Sequence, residues 1–187
     1  MRADAQEKRD AIVTASVELF ATEGFEVPFR TIANAAGVGV ATVHRHFPDR
    51  VDLVLAVAHR FWDRMEGIIH SYDDLWDTDA EAALYNIVRE LSDLHPLSFM
   101  AMGETIINNT ELLPADNSGL QRALSVSESF ANKAKEHKLI DASVLPAHFF
   151  LGIALISRQI PQRVEGLFPD YLEFLIKTYL AGLRPEN

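Results

Sequence analysis

Residues 31–47 of the chain read TIANAAGVGVATVHRHF, and this stretch decides the fold. It predicts two short helices, about 29–36 and 40–47, separated by Gly37, which permits a tight turn. Helices of about two turns do not form alone in water, so both must pack on each other and on a third helix. Small alanine side chains allow the close crossing. The stretch therefore indicates a helix-turn-helix, the unit that places its second helix in the major groove of DNA.

The second helix of this unit has one apolar face and one mixed face. We predict that Val38, Val43 and Phe47 face inward. The residues predicted to face outward are Val40, Ala41, His44 and Arg45, with Thr42 and His46 at the flanks. Arginine can pair with guanine, and valine or alanine can touch the methyl group of thymine. This face is therefore typical of a helix that reads base edges.

The rest of the chain also predicts helices. Apolar residues recur at helical spacing, and no alternating β-branched run with hairpin turns is present. The predicted buried stripes are Ile12, Ala15, Leu19 and Phe20 in the first helix, and Val54, Ala58, Phe61, Met65 and Ile68 in the long helix. The predicted helices span residues 4–23, 29–36, 40–47, 50–70, 79–94, 97–110, 118–138, 144–159 and 169–182. Residues 73–79, rich in aspartate, predict a polar connection. The expected fold class is all-α, with an N-terminal three-helix bundle, a helical second domain and about nine helices in total.

The run from Arg9 to about Val57 resembles the N-terminal DNA-binding domain of the tetracycline-repressor (TetR/AcrR) family of transcriptional regulators. The matching pieces are Arg9-x-x-Ile12, Ala15, Leu19-Phe20, Gly24-Phe25, Ile32-Ala33-x-x-Ala36-Gly37-Val38, Thr42-Val43, His46-Phe47-Pro48-Asp49-Arg50 and Leu53. Their order and spacing together are specific. The resemblance implies a helix-turn-helix DNA-binding domain at residues 1–49 and a helical ligand-binding and dimerisation domain at residues 50–187, with helix 50–70 connecting the two.

The resemblance also implies roles for individual residues. Thr42 and the two histidines of the second helix fall on positions that touch phosphates or bases in the family. The two residues after Gly39 fall where contacts to the groove floor are common, and Arg50 matches a lysine that meets a phosphate. The predicted DNA-binding residues are Arg30, Gly39, Val40, Ala41, Thr42, His44, Arg45, His46 and Arg50.

Three positions depart from the family pattern. The usual capping serine or threonine of the second helix is replaced at Val27–Pro28, the serine that starts the next helix is Gly39, and the usual tyrosine is His44. Glycine can cap a helix but offers no side-chain acceptor. These departures leave open a protein-interaction module that keeps the fold without binding DNA. A small helical enzyme is a second alternative, although no Gly-x-Ser-x-Gly, glycine-rich phosphate loop or nucleotide fingerprint is present, and no catalytic residue or cofactor is predicted.

Two C-terminal segments predict a subunit interface. Residues 147–156, AHFFLGIALI, are apolar on every side, and such a helix must be covered on every side. The last helix carries an apolar stripe too wide for one neighbour. We therefore predict a homodimer with a four-helix interface, whose two-fold axis requires a near-palindromic DNA site. The predicted interface residues are Phe149, Phe150, Ile153, Leu155, Ile156, Tyr171, Phe174, Leu175 and Tyr179.

A ligand pocket is predicted in the same C-terminal domain. Pockets for small molecules combine apolar walls with few polar groups, so the expected effector is a small, largely apolar molecule. For each candidate residue the alternative is a place in the ordinary core. The candidates are Phe61, Trp62, Met65, Phe99, Met100, Met102, Glu104, Asn108, Leu120, Leu124, Phe130 and His148.

Four polar residues of helix 50–70 share one helix face at a spacing that can bind a metal. They are His59, Asp63, Glu66 and His70. We interpret them as a solvated polar face opposite the apolar stripe, so no metal site is predicted.

The composition excludes several kinds of functional site. The chain has 187 residues, a net charge of -10 and no cysteine, which excludes disulfides, thiolate zinc sites and cysteine nucleophiles. The polar N-terminus is not a signal peptide, and no apolar stretch reaches the roughly 20 residues of a spanning helix. We therefore expect a soluble, cytoplasmic protein without a membrane partner.

The acidic total does not exclude DNA as a partner. Residues 1–50 hold six lysine and arginine residues against seven aspartate and glutamate residues, a net charge of -1. The remaining -9 lies in residues 51–187. Since phosphates require cations only where they are contacted, the acidity predicts weak non-specific binding and a small, local DNA contact.

Overall fold

The computed structural model describes residues 2–24, 26–94, 96, 118–158, 160 and 166–185. The regular secondary structure within these ranges consists of nine helices and no strand. They are α1 (Arg2–Glu23), α2 (Phe29–Ala35), α3 (Val40–His46), α4 (Arg50–Ser71), α5 (Asp73–Trp76), α6 (Ala80–Ser92), α7 (Ser118–Glu136), α8 (Pro146–Ile156) and α9 (Tyr171–Gly182). The all-α prediction is confirmed. Among these helices, none is both long and apolar enough to span a bilayer.

Two compact units divide the described residues, and the division falls within α4, after Asp63. The first unit contains α1, α2, α3 and α4 up to Asp63. The second begins at Arg64 and contains the rest of α4 and the helices α5 to α9. The predicted domain boundary, at residues 49–50, lies at the N-terminus of α4 instead.

One face of α1 carries much of the core of the first unit. Its buried residues are Ile12, Val13, Ser16, Val17 and Phe20. The hydroxyl of Ser16 donates to the carbonyl oxygen of Ile12 at 2.8 Å, so this polar group is satisfied inside the core. The predicted stripe shares Ile12 and Phe20 with this face, whereas Ala15 and Leu19 are half-buried at its edge.

The turn between α2 and α3 depends on Gly37. Its φ is +66°, a left-handed conformation that other residues adopt at a cost. The amide of Val38 donates to the carbonyl oxygen of Ala33 at 3.0 Å, and the amide of Gly37 donates to that of Asn34 at 3.2 Å. These bonds satisfy carbonyl groups at the end of α2 in the manner of a Schellman motif, and they fix the direction in which the chain enters α3.

An aromatic cluster ties together the helices of the second unit. Trp76, at the end of α5, meets Phe130 of α7 edge-on, with ring centroids 6.4 Å apart. Phe130 packs on Phe149 of α8 at 5.2 Å, and Phe149 stacks on Tyr179 of α9 at 6.3 Å. The predicted polar connection over residues 73–79 therefore contains a one-turn helix that anchors Trp76 in the core. The apolar residues that α6 buries in the same unit are Ala83, Leu84, Ile87, Val88 and Leu91.

One face of α8 is buried inside its own subunit. Phe149 and Ile153 are 1% and 0% exposed, and Phe150 is 9% exposed, because α6, α7 and α9 all pack against α8. Phe149 and Ile153 keep almost no exposed surface within one subunit, and Phe150 keeps little. These three residues therefore contribute to the subunit core, and their role in a dimer interface remains a prediction.

Gly152 allows α9 to approach α8 closely. A Cβ atom at this position would overlap the ring and hydroxyl of Tyr179. That hydroxyl donates to the carbonyl oxygen of Phe149 at 2.6 Å. Tyr179, another predicted interface residue, is thus engaged with its own chain through both its ring and its hydroxyl.

Candidate nucleic-acid interface

The inner face of α3 fixes how the helix sits on its unit. Val43 and Phe47 are fully buried, and α3 packs against both α1 and α2. The guanidinium of Arg9, from α1, lies over the ring of Phe47 with its Cζ atom 4.9 Å from the ring centroid, an attractive cation–π geometry. The predicted inward direction is confirmed for these two residues, while Val38 is half-buried.

The opposite face of α3 is open to solvent. Val40 is 38% exposed, and Thr42 is half-buried at the edge of the face. The other exposed residues in and around α3 that were predicted to bind DNA are Arg30, Gly39, Ala41, His44 and Arg45. The structure therefore gathers two small aliphatic side chains, an imidazole and a guanidinium on one short helical surface.

Neither short helix begins with a side-chain cap. Pro28 and Gly39 occupy the N-cap positions of α2 and α3, and neither supplies a side-chain hydrogen bond. The carbonyl oxygen of Gly39 accepts the amides of Thr42 at 2.8 Å and Val43 at 3.2 Å. The first turn of α3 is therefore held by its backbone alone, as the departure at Gly39 implied.

Arg50, the first residue of α4, is held by two contacts within the first unit. Its Nη1 donates to the carbonyl oxygen of Val27 at 2.9 Å, and Nη2 donates to the same oxygen. Its Cζ atom lies 5.4 Å from the centroid of the Phe29 ring. The guanidinium is half-buried and has a fixed orientation beside α2.

The imidazole of His44 packs against the same phenyl ring. The ring centroids of Phe29 and His44 are 5.0 Å apart and the rings are inclined at 64°, an edge-to-face arrangement. Phe29 is thus in contact with two of the residues predicted to bind DNA. Sequence reasoning did not identify Phe29, since a single aromatic residue at the start of a helix carries no periodic signal.

His46 differs from the other predicted contacts. It is half-buried, and its Nε2 atom is buried without a hydrogen-bond partner in the described structure. This nitrogen is hidden from solvent, so it does not present a proton to a phosphate in this conformation. In this conformation, the predicted contact of His46 with DNA would have to be made by the other atoms of its ring.

The predicted pocket residues occupy different environments. Phe61, Met65 and Phe130 are buried, and Trp62 is half-buried with its ring edge-on to Phe61 at 5.2 Å. The exposed candidates are Leu124 and His148. The candidates that lie outside the described residues are Phe99, Met100, Met102, Glu104 and Asn108, together with the side chain of Leu120. The pocket remains a prediction.

A surface groove of about 490 Å³ lies in the second unit, chiefly between α6 and α9. Its lining residues are Asp79, Glu81, Ala82, Leu84, Tyr85, Asn86, Leu139, Lys177, Leu180, Ala181 and Arg184. Glu81 and Arg184 form an ion pair at 3.0 Å. None of the predicted pocket residues lines this groove, and its charged lining is more polar than the predicted pocket.

The polar residues of α4 have neighbours other than a metal. Glu66 accepts hydrogen bonds from Arg122 at 3.0 and 2.6 Å. Nδ1 of His70 lies 3.0 Å from a carboxylate oxygen of Asp73. Within the described ranges, three or more potential metal ligands of the histidine, aspartate or glutamate type do not come together.

Some interface candidates on both α8 and α9 are exposed. Phe174 of α9 is 66% exposed, and Leu155 of α8 is 54% exposed. Ile156, Tyr171 and Leu175 are half-buried. Leu151, which was not among the candidates, is 38% exposed on α8. Both helices therefore keep apolar surface after the subunit core has formed.

Comparisons with known proteins show a similarity within the first unit. The profile of bacterial regulatory proteins of the tetR family matches residues 12–57. The HTH-type transcriptional repressor LfrR of Mycolicibacterium smegmatis is 38% identical over 82 residues, which are 43% of this chain and 43% of LfrR. An HTH-type transcriptional regulator of Staphylococcus aureus strain USA300 is 41% identical over 64 residues, 34% of this chain and 35% of that protein. The matches thus span less than half the length of these relatives.

The solved structures resemble the whole chain in fold. The crystal structure of the TetR-like regulator LfrR from Mycobacterium smegmatis in complex with proflavine has a TM-score of 0.69 and 22% identity, and the match covers 97% of this chain and 98% of that one. At this identity the likeness concerns the fold. The relatives and the structure named here are all described as transcriptional regulators.

Proposed function

We propose that this chain is a one-component transcriptional repressor of the tetR family, because its residues 12–57 match the profile of bacterial regulatory proteins of that family. It acts as a homodimer on double-stranded DNA, and a small, largely apolar effector releases it. The exposed face of α3 is the observation that carries this proposal. Val43 and Phe47 are buried beneath it, so the face is presented on a fixed platform rather than on a mobile loop.

The exposed face of α3 has the chemistry of a groove reader. Arg45 offers the bidentate donor pair that matches O6 and N7 of guanine, and Val40 and Ala41 offer methyl groups to thymine. Arg50 adds a cation for the phosphate backbone, which fixes position and register rather than sequence. A half-site that contains guanine and thymine is therefore expected.

Dimerisation supplies the second half-site. Leu155 and Phe174 keep apolar surface on adjacent helices, and a second copy of the chain covers it about a two-fold axis. Two copies of α3 then enter successive major grooves, which are about 34 Å apart along the duplex. The operator is therefore near-palindromic.

The effector acts in the second unit. LfrR, a TetR-like regulator of the same fold, is described in complex with proflavine, which supports a small aromatic molecule as the effector of this chain. The indole N–H of Trp76 is buried and has no hydrogen-bond partner among the described residues. An acceptor atom on the effector would satisfy it. Binding then shifts the population towards a state whose two α3 helices no longer match the half-site spacing.

Selection from a random pool of DNA duplexes tests DNA binding, followed by footprinting of the enriched sequences. We expect a near-palindromic footprint with half-sites one helical turn apart. Absence of binding even at low salt would favour the protein-interaction module. A footprint of a single half-site would overturn the dimeric mode. Genome-wide mapping of bound sites would then identify the regulated genes, and their expression in a strain lacking the protein should rise.

A fluorescence titration with proflavine, without DNA, tests the effector site. The chain has two tryptophans, Trp62 and Trp76, and we expect saturable quenching that is weakened in Trp76→Phe. The operator complex should dissociate over the same concentration range, and the probe should be recovered unchanged. Conversion of the probe would favour the enzyme alternative, and absence of saturable quenching would exclude an effector of this type.

A further inference from the structure

Phe29 lies between α3 and α4 and does not belong to the core of its own helix, α2. The core of α2 is formed by Ile32 and Ala33, whereas Phe29 is half-buried at the start of the helix. Its ring meets the imidazole of His44 at 5.0 Å and the guanidinium of Arg50 at 5.4 Å. One phenyl ring therefore contacts two polar side chains of the proposed DNA-binding surface, each from a different helix.

The contact with Arg50 prepares that residue for an anion. The guanidinium carries five N–H groups, and two of them point to the carbonyl oxygen of Val27. Three N–H groups remain to be directed at a phosphate. Because the ring of Phe29 and the carbonyl group hold the guanidinium from two directions, little rotamer freedom is left to lose when DNA binds.

The contact with His44 restricts an exposed side chain in the same way. An exposed histidine on a helix samples several rotamers, and each rotamer carries its nitrogen atoms to a different place. The edge-to-face contact with Phe29 favours one of them. The ring of Phe29 thus orients both the imidazole of His44, in α3, and the guanidinium of Arg50, in α4.

We propose that Phe29 is a positioning residue of the DNA-binding surface, which sets DNA affinity by preordering His44 and Arg50. This inference rests on the proposed function. Because Arg50 would meet the phosphate backbone, the loss of Phe29 weakens binding to all duplexes and not only to the operator. A residue that only filled the core would act instead through the stability of the fold.

The test compares Phe29→Leu and Phe29→Tyr with the parent protein on the selected operator and on an unrelated duplex. We expect Phe29→Leu to bind both duplexes about tenfold less tightly, with its dependence of log K on log salt reduced by up to about 1.8, the value of one phosphate contact in each of the two subunits. Phe29→Tyr keeps the ring and should restore both quantities. Val17→Ala, in the core of the same unit, calibrates the effect of lost stability alone and should leave affinity unchanged below its unfolding temperature.

A double-mutant cycle separates positioning from packing. In an Arg50→Ala background, Phe29→Leu should cost clearly less affinity than in the parent, because one of its two targets is gone. Fully additive effects, or an unchanged affinity in Phe29→Leu, would overturn the inference while the parent protein still binds its operator. If the parent protein binds no DNA, the proposed function itself fails.

Discussion

In the proposed function, Arg45 carries most of the capacity for base discrimination on α3. It is exposed, and its fork-shaped guanidinium can contact two acceptors of one guanine at once. His44 offers a single imidazole whose orientation depends on Phe29. Val40 and Ala41 can contact only methyl groups. We therefore expect specificity for one base pair in each half-site to depend chiefly on Arg45.

Replacement of Arg45 by alanine should weaken binding of the dimer to its operator by at least about 30-fold, because each of the two half-sites loses about 1–3 kcal/mol. The loss on an unrelated duplex should be smaller, because no base is read there. Arg45→Lys is the matched control, since it keeps the charge and removes the fork. Competitive fluorescence anisotropy with both duplexes measures the two losses, and equal losses would assign Arg45 to a phosphate instead.

Tyr179 provides a pH-dependent term in the stability of the second unit. Burial raises the pKa of its phenol from 10.0 to about 12, because the ionised form is poorly solvated there. The folded state therefore keeps the proton where the unfolded state has lost it. The stability that this phenol contributes is fully present below pH 10 and is lost as the pH rises towards 12.

We expect the free energy of unfolding to fall more steeply between pH 10 and pH 12 in the parent protein than in Tyr179→Phe. At neutral pH the variant should be less stable by about 1 kcal/mol, since it lacks the hydrogen bond to Phe149. Urea unfolding across this pH range measures both effects. Parallel pH profiles for the two proteins would show that this phenol does not titrate differently on folding.

At the scale of helices, the sequence predicted existence and approximate bounds better than it predicted the buried face. Helical periodicity located α1 and α4, but the burial of α4 includes Val57 and Ile69 where the pattern favoured Ala58 and Ile68. Neighbouring apolar residues on a helix differ by about 100° in direction. The pattern alone cannot choose between them, because the choice depends on which helix packs against that side.

The same limit applies to the face of α8 that packs inside the subunit. A helix that is apolar on every side gives no indication of which side belongs to the subunit and which to a partner. Gly152 was the available signal, since glycine inside a helix is unfavourable by about 1 kcal/mol relative to alanine and is kept where a neighbour approaches closely. It marks the side on which α9 packs.

Gly152→Ala should destabilise the protein by about 2 kcal/mol. The added methyl group overlaps Tyr179, and overpacking together with the loss of the tyrosine hydrogen bond outweighs the gain in helix propensity of about 1 kcal/mol. Thermal or urea unfolding measures the change. In a Tyr179→Ala background the same substitution should become neutral or stabilising, and an unchanged cost there would locate the clash elsewhere.

At the scale of the whole chain, the uneven charge favours local DNA recognition over general attraction. Residues 51–187 carry a net charge of -9, which repels a phosphate backbone, so we expect the affinity to come from the proposed contacts around α3 and the start of α4. The total charge of -10, taken alone, would argue against DNA as a partner. Only the position of the cations along the chain, and then on the fold, decides which surface DNA can approach.

The exposed apolar surface of α8 and α9 predicts that the protein is a dimer. Leu155 and Phe174 are more than half exposed, and a subunit that left both in water would lose the stabilisation of about 25 cal/mol for each Å² of apolar surface that a partner could cover. We expect the parent protein to sediment as a dimer at micromolar concentration. Leu155→Glu or Phe174→Glu should raise the dissociation constant by more than about 100-fold, because a carboxylate at a dry interface is unpaired. Gln121→Glu adds the same charge at an exposed site of α7 and should leave the dimer intact. A monomeric parent protein would contradict both the proposed dimer and the near-palindromic operator that follows from it.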